Sequence, residues 1–330
     1  MSVARERRPR HVNGELNGHH MMLLLRLLLL SCIAIVASAA TAAPRVLVTI
    51  PPIHALAMNI MGGVATPELL LRGPVSPHEY RLRPSDARKL YNADVIITVG
   101  PPLEWFLDRA LKNLGRDVVV IRLLDDKQLL RLRRQGKDDH RDQKSTDENQ
   151  DATINDINEL DPHIWLDPRN AIRIATVIAE TLAAKDPANA ARYARNRAQV
   201  IERLLRLDRE LDARLKPLGS LAYLVYHDAF RYLQERYGLR APEVVTASPN
   251  RAPGARRLRE LRQTITETEI RCAFREPQFQ STAVDHLLRD AQVRVETLDP
   301  LGSTLASGAN AYFQLMWKLA GTITDCLQQR

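Results

Sequence analysis

From Pro44 onward the chain alternates short apolar runs with stretches of helical period, and this pattern constrains its fold more than any other feature. Runs of four to six apolar-rich residues spaced by helices are the signature of βα units and a mainly parallel sheet. The first half offers RVLVTI (45–50), ELLLR (68–72), VIITVG (95–100) and VVVIRL (118–123). The second half offers LAYLVY (221–226), EVVTA (243–247), CAFRE (272–276) and VRVETL (293–298). Helical patterns such as IHALAMNIMGG and PSDARKLYNA lie between the first-half runs, with Ser85 expected to cap the second and Asp86 to favour its first turn. Between the two sets one long helix is expected from Pro187 to Pro217, with Ala190, Ala194, Ala198, Ile201, Leu204, Leu205, Leu211 and Leu215 along one face. At 1.5 Å per residue it would run about 45 Å, more than one lobe needs. The fold class expected is therefore α/β: two lobes, each a mainly parallel sheet flanked by helices, joined by one long helix. The boundaries read as an N-terminal lobe over 44–186, the connecting helix over 187–216 and a C-terminal lobe over 217–330. No internal sequence repeat accompanies the repeated architecture.

Residues 1–43 read as an export signal. Arg5, Arg7, Arg8 and Arg10 precede the apolar run MMLLLRLLLLSCIAIVASAATAAP, which ends in small residues with Ala-x-Ala sites near Ala39 to Ala43. Translation starting at Met21 or Met22 would leave the same signal. The run is long enough to span a bilayer, but its small-residue end favours cleavage over anchoring. Cys32 in LLSC resembles a lipoprotein cleavage site, yet the apolar IAIVASAA that follows is not the polar linker such an anchor requires. A periplasmic location is the expectation. Removing the signal leaves Cys272 and Cys326, an even pair that in an exported chain reads as a disulfide, with two free buried thiols as the alternative.

The formal charge of +8 raises the question of nucleic acid, but about three of those charges belong to residues 1–43, which hold five Arg against two Glu. The rest is spread over helical arginines such as Arg256, Arg257 and Arg259, and aromatics make up 5% of the chain, so no basic stripe interleaved with aromatics exists. Nucleic-acid binding is excluded as a reading. Residues 136–161 carry nine Asp or Glu against three Lys or Arg and no apolar period, the composition of a mobile loop.

Six histidines follow the signal: His54, His78, His140, His163, His227 and His286. His78 comes shortly after the run 68–72 and His227 directly after 221–226, while Asp299 directly follows 293–298. His163 stands in LDPHIWLDP, where two prolines fix their own φ and push each preceding Asp towards extended backbone. Ligands of open α/β sheets bind beyond the carboxyl ends of the strands. His78, His163, His227 and Asp299 are therefore expected to converge on one cleft between the lobes. Three imidazoles and a carboxylate suit tetrahedral zinc. His54 and His286 read as helix residues that pack or face solvent, and Trp105 and Trp165 as packing around the site.

The motifs SPHEYRLRPSDARKLYNADVIITVGPPLEWFL (76–107), LDPHIWLDP, YHDAF, FREPQF (274–279) and LDPLG, in that order, resemble the metal-binding solute-binding proteins of ABC transporters, specifically the zinc-uptake branch of the cluster A-I type. The resemblance covers nearly all of Pro44 to Arg330. It implies two lobes joined by a long helix, ligands at His78, His163 and His227 with Asp299 or a water as fourth partner, and a disulfide matching Cys272–Cys326. It further implies capture of Zn²⁺ in the periplasm by a monomer and delivery to an inner-membrane ABC permease with its cytoplasmic ATPase. Two departures stand out. Relatives often carry a histidine-rich loop before the second ligand histidine, where this chain has an acidic segment holding only His140; some place a glutamate just before the first histidine, where this chain has Pro77.

Two rival functions have specific sequence markers. A manganese or iron carrier of the same fold typically has a carboxylate where His227 stands, and harder oxygen ligands suit manganese. A zinc hydrolase would need more than Glu79 after His78: position 82 is Leu where an HExxH helix needs His, and no Gly-x-Ser-x-Gly, Walker or GxGxxG stretch is present. Glu276 in EPQF would serve such an enzyme as a base, but is read first as a carboxylate orienting a ligand histidine. An adhesin role also occurs among related proteins.

Overall fold

The computed structural model describes residues 42–134, 157–246, 253–279 and 281–328. The expected signal over 1–43 lies outside the described residues except for its last two positions, as do His140 and most of the acidic segment 136–161. Among the described residues no helix is long and apolar enough to cross a membrane.

All eight apolar runs form strands, each shorter than its run. They are β1 (Val46–Val48), β2 (Glu68–Leu69), β3 (Val95–Thr98), β4 (Val119–Arg122), β5 (Leu224–Val225), β6 (Glu243–Val244), β7 (Cys272–Arg275) and β8 (Arg294–Thr297). The helices are α1 (Pro51–Ile60), α2 (Pro84–Asn92), α3 (Pro101–Glu104), α4 (Asp108–Leu111), α5 (Pro168–Lys185), α6 (Ala190–Leu215), α7 (Arg231–Tyr237), α8 (Ala255–Glu267), α9 (Thr282–Asp290) and α10 (Ala311–Gln328). The strands pair in two four-stranded sheets of order β2-β1-β3-β4 and β6-β5-β7-β8. Every pairing is parallel. The two orders are the same, so the halves share a topology that their sequences do not repeat. In each sheet the order reverses between the first and third strands, and that crevice is where such sheets place ligands. β1 and β3 are buried along their whole length, as expected for parallel strands covered on both faces.

Helix α6 is continuous over 26 residues, about 39 Å, with a 3₁₀ turn at each end. Its buried face is Tyr193, Val200, Leu204, Leu207, Leu211 and Leu215. This corrects the expected stripe, because Ala194, Ala198 and Leu205 are exposed. A small Ala fits either face of a helix, so a stripe traced through alanines drifts off the larger side chains that set the burial. Asn196 donates to the Ile60 carbonyl, and Arg203 donates to Asn59 of the first half and Asn310 of the second. Arg236 closes on Asp208 through two bonds of 2.8 and 2.5 Å. One rigid element is thus stapled to both halves.

Two local expectations are also corrected. Arg83, not Ser85, occupies the N-cap of α2, since Pro84 takes the first helical position; Asp86 accepts from the Arg83 N–H at 3.0 Å and from Tyr80 Oη at 2.7 Å. The segment 136–161 does not run as loop to its end. Leu160 bridges to Arg133, and the Asp161 N–H bonds the Leu132 carbonyl at 2.8 Å. Cys272 and Cys326 form a disulfide that ties β7 to α10, with Cα atoms 6.0 Å apart.

Candidate metal centre

Three imidazoles meet between the two sheets. His78, His163 and His227 offer nitrogens that all lie within 4.8 Å of one another, and they are the one such group among the described residues. Their ring centroids are 5.5, 5.9 and 5.3 Å apart.

Each arrives by a different route. His227 lies two residues beyond the end of β5, and its Nδ1 sits 2.5 Å from Oε1 of Glu276, which follows β7. His163 is fixed by its own segment: Asp161 Oδ1 accepts from the His163 backbone N–H at 3.0 Å and lies 2.7 Å from His163 Nδ1. That segment precedes α6 in the chain yet is gripped by the second half. Tyr232 Oη donates to the Asp161 carbonyl, Tyr312 Oη to the Trp165 carbonyl, and Trp165 Nε1 to the Pro300 carbonyl. Ile164, Trp165 and Leu166 are fully buried beside it. His78 stands in the turn after β2, where its backbone carbonyl accepts from Trp105 Nε1 at 3.0 Å.

The carboxylates decide the tautomers. When ionised, Asp161 and Glu276 only accept, and they then hold the proton on Nδ1 of His163 and His227 and leave each Nε2 with a lone pair. Those two Nε2 atoms face each other at 3.4 Å. Two acceptors at that distance repel unless a cation lies between them. Tetrahedral zinc with bonds of about 2.0–2.1 Å separates its ligand nitrogens by about 3.4 Å, so the spacing fits. His78 Nε2 is buried with no hydrogen-bond partner among the described residues. Burial pushes His78 and His163 well below the ordinary imidazole value, and the neighbouring imidazoles push the same way. The His78 and His163 rings are thus neutral and ready for metal near pH 7. Burial also raises the carboxylates behind them, Asp161 to about 7.

Asp299 is not brought into the group. Its Oδ1 accepts from Gln278 Nε2 at 2.9 Å and from the Leu301 N–H at 3.1 Å. Its Oδ2 accepts from the Ser303 N–H at 2.6 Å and Ser303 Oγ at 2.8 Å. A carboxylate has about four acceptor positions, and here all four are occupied by its own turn and Gln278. Trp105 departs from expectation as well: it is 58% exposed and does not wall the site. Trp165 does, with its ring 5.4 Å from that of His163. His54 is buried in α1 against the Pro67 carbonyl, and His286 is exposed on α9.

Sequence reasoning named Glu276 but missed Asp161, whose signal was present: an acidic residue two positions before a histidine, with a proline between them to hold the bend. Gln278 and Ser76 line the same cavity with buried Oε1 and Oγ atoms that have no hydrogen-bond partner among the described residues, and they carry no comparable signal.

The family model described as zinc-uptake complex component A, periplasmic, matches residues 46–326. The chain belongs to that family. The high-affinity zinc uptake system protein ZnuA of Brucella suis biovar 1 is 36% identical over 306 residues, covering 86% of this chain and 92% of the relative. A crystal structure of ZnuA superposes with a TM-score of 0.71 at 26% identity, over 87% of this chain and 100% of the other. A ZnuA deletion mutant with zinc bound gives a TM-score of 0.72 at 26% identity, over 87% and 99% of the two chains.

Proposed function

We propose that this protein captures Zn²⁺ in the periplasm and hands it to an inner-membrane ABC permease driven by a cytoplasmic ATPase, acting as a monomeric carrier and not as an enzyme. His78, His163 and His227 are the protein ligands, and a water completes the shell because the oxygens of Asp299 are already bonded. The observation that carries the reading is the pair of Nε2 atoms 3.4 Å apart, each on a ring whose opposite nitrogen is bonded to a buried carboxylate. Imidazole-rich, compact shells suit zinc, whereas manganese takes more oxygen ligands. Membership of the zinc-uptake family supports the same cargo.

The ion enters as a dication, and Asp161 and Glu276, behind two of the ligand rings, supply the nearby negative charge that offsets it. Residues 1–43 are the export signal that brings the chain to this compartment. Alanine at His78, His163 or His227 is expected to weaken zinc binding sharply in chelator competition, while His286→Ala leaves it unchanged. Equal losses at all four positions would refute the ligand assignment.

A further inference from the structure

The three imidazoles are not held alike. Asp161 and Glu276 bond the far nitrogens of His163 and His227, whereas among the described residues no side chain bonds the ring of His78. The contact that places His78 is made to its backbone: Trp105 Nε1 donates to the His78 carbonyl at 3.0 Å. This indole is 58% exposed, in contrast to Trp165, whose N–H bond to Pro300 is fully buried.

The turn that carries Trp105 is itself anchored. Glu104, the preceding residue, is 1% exposed and accepts from the Gly100 N–H at 2.9 Å and from the hydroxyls of Thr49 and Thr98. Thr98 ends β3 and Thr49 directly follows β1, so the anchor sits at the crevice where the first sheet reverses its order. A buried carboxylate therefore fixes the backbone of an exposed aromatic ring, and that ring reaches over to the segment bearing one ligand. Packing does not explain an indole left mostly in solvent with its one donor spent on that carbonyl.

We propose that Trp105 is the positioning residue for His78 and sets how fast the ion leaves. The bond holds His78 against its two partners; breaking it at the surface frees the one ligand without a carboxylate behind it. The inference rests on the zinc-carrier reading and adds a release step to it.

The test is stopped-flow release of Zn²⁺ from the loaded chain into excess chelator, with association followed separately. Trp105→Phe keeps an aromatic ring and removes the donor. Losing one neutral hydrogen bond is expected to raise the dissociation rate about three- to tenfold, with the association rate unchanged and the apo unfolding midpoint lowered by no more than one such bond accounts for. Trp317→Phe, at the 38% exposed tryptophan of α10, is expected to release zinc at the wild-type rate. A Trp105→Phe dissociation rate equal to wild type, or a Trp317→Phe rate raised as much, would overturn the proposal while leaving the carrier reading intact. A wild-type chain that takes up no zinc would overturn both.

Discussion

Replacing Glu276 by Gln separates metal affinity from fold stability more cleanly than any ligand mutation. Its side chain is fully buried, and Oε1 lies 2.5 Å from His227 Nδ1. Gln keeps the shape and a carbonyl acceptor for that N–H but removes the charge. The His227 imidazole then becomes a poorer donor to the ion, and one negative charge that offsets the dication is lost. Removing such a partner behind a ligand histidine costs about 10–100-fold in affinity, or about 1.4–2.8 kcal/mol. The apo protein should respond in the opposite sense. A carboxylate in this position has lost its water, and its second oxygen is buried with no partner among the described residues. An uncharged amide relieves that desolvation cost. We therefore expect Glu276→Gln to bind zinc about 10–100-fold more weakly in chelator competition at fixed pH, with an apo unfolding midpoint equal to or above wild type. Unchanged affinity would show that Glu276 does not tune His227. A parallel fall in affinity and midpoint would show damage to packing instead.

Three further outcomes follow from named groups. Burial raises Glu104 above its ordinary 4.5, so between that value and its raised folded value the folded state alone holds the proton. The apo chain should gain stability as pH falls through that window and lose it as pH rises, and denaturant titrations of Glu104→Gln should show that part of the profile flattened. His227→Glu puts a harder oxygen in place of an imidazole and should narrow the zinc-over-manganese affinity ratio measured by competition; an unchanged ratio in a folded, metal-binding variant would remove His227 as selector. The Cys272–Cys326 bond closes a 54-residue separation. The double Ser variant should lose about 4 kcal/mol of stability in denaturant unfolding, and a loss near zero would mean the reduced chain keeps that loop closed by other contacts.

The alternation of runs and helical periods carried the fold because parallel strands buried on both faces must be apolar throughout, and β1 and β3 show this directly. Strand ends were less legible. ELLLR reads as five residues of strand; Glu68 and Leu69 pair in register with β1, and the Leu70 and Leu71 N–H groups still bond the Val48 and Thr49 carbonyls as the chain leaves the sheet. The three histidines were legible from their place after strands or between prolines. Asp299 shared that signature, but backbone and side-chain donors at Leu301, Ser303 and Gln278 claim its oxygens, and such competition is visible only in three dimensions. Trp105 was misjudged for a related reason. A tryptophan beside apolar residues reads as packing around the site, and nothing in WFL marks a donor aimed at a carbonyl 27 positions away.

The central claim is that one zinc ion is held by three imidazoles, and zinc K-edge X-ray absorption on the loaded, tag-free chain tests it most directly. The account predicts a four-coordinate shell with three imidazole nitrogens at about 2.0–2.1 Å and one oxygen. A shell of oxygens with fewer than three imidazoles would contradict it.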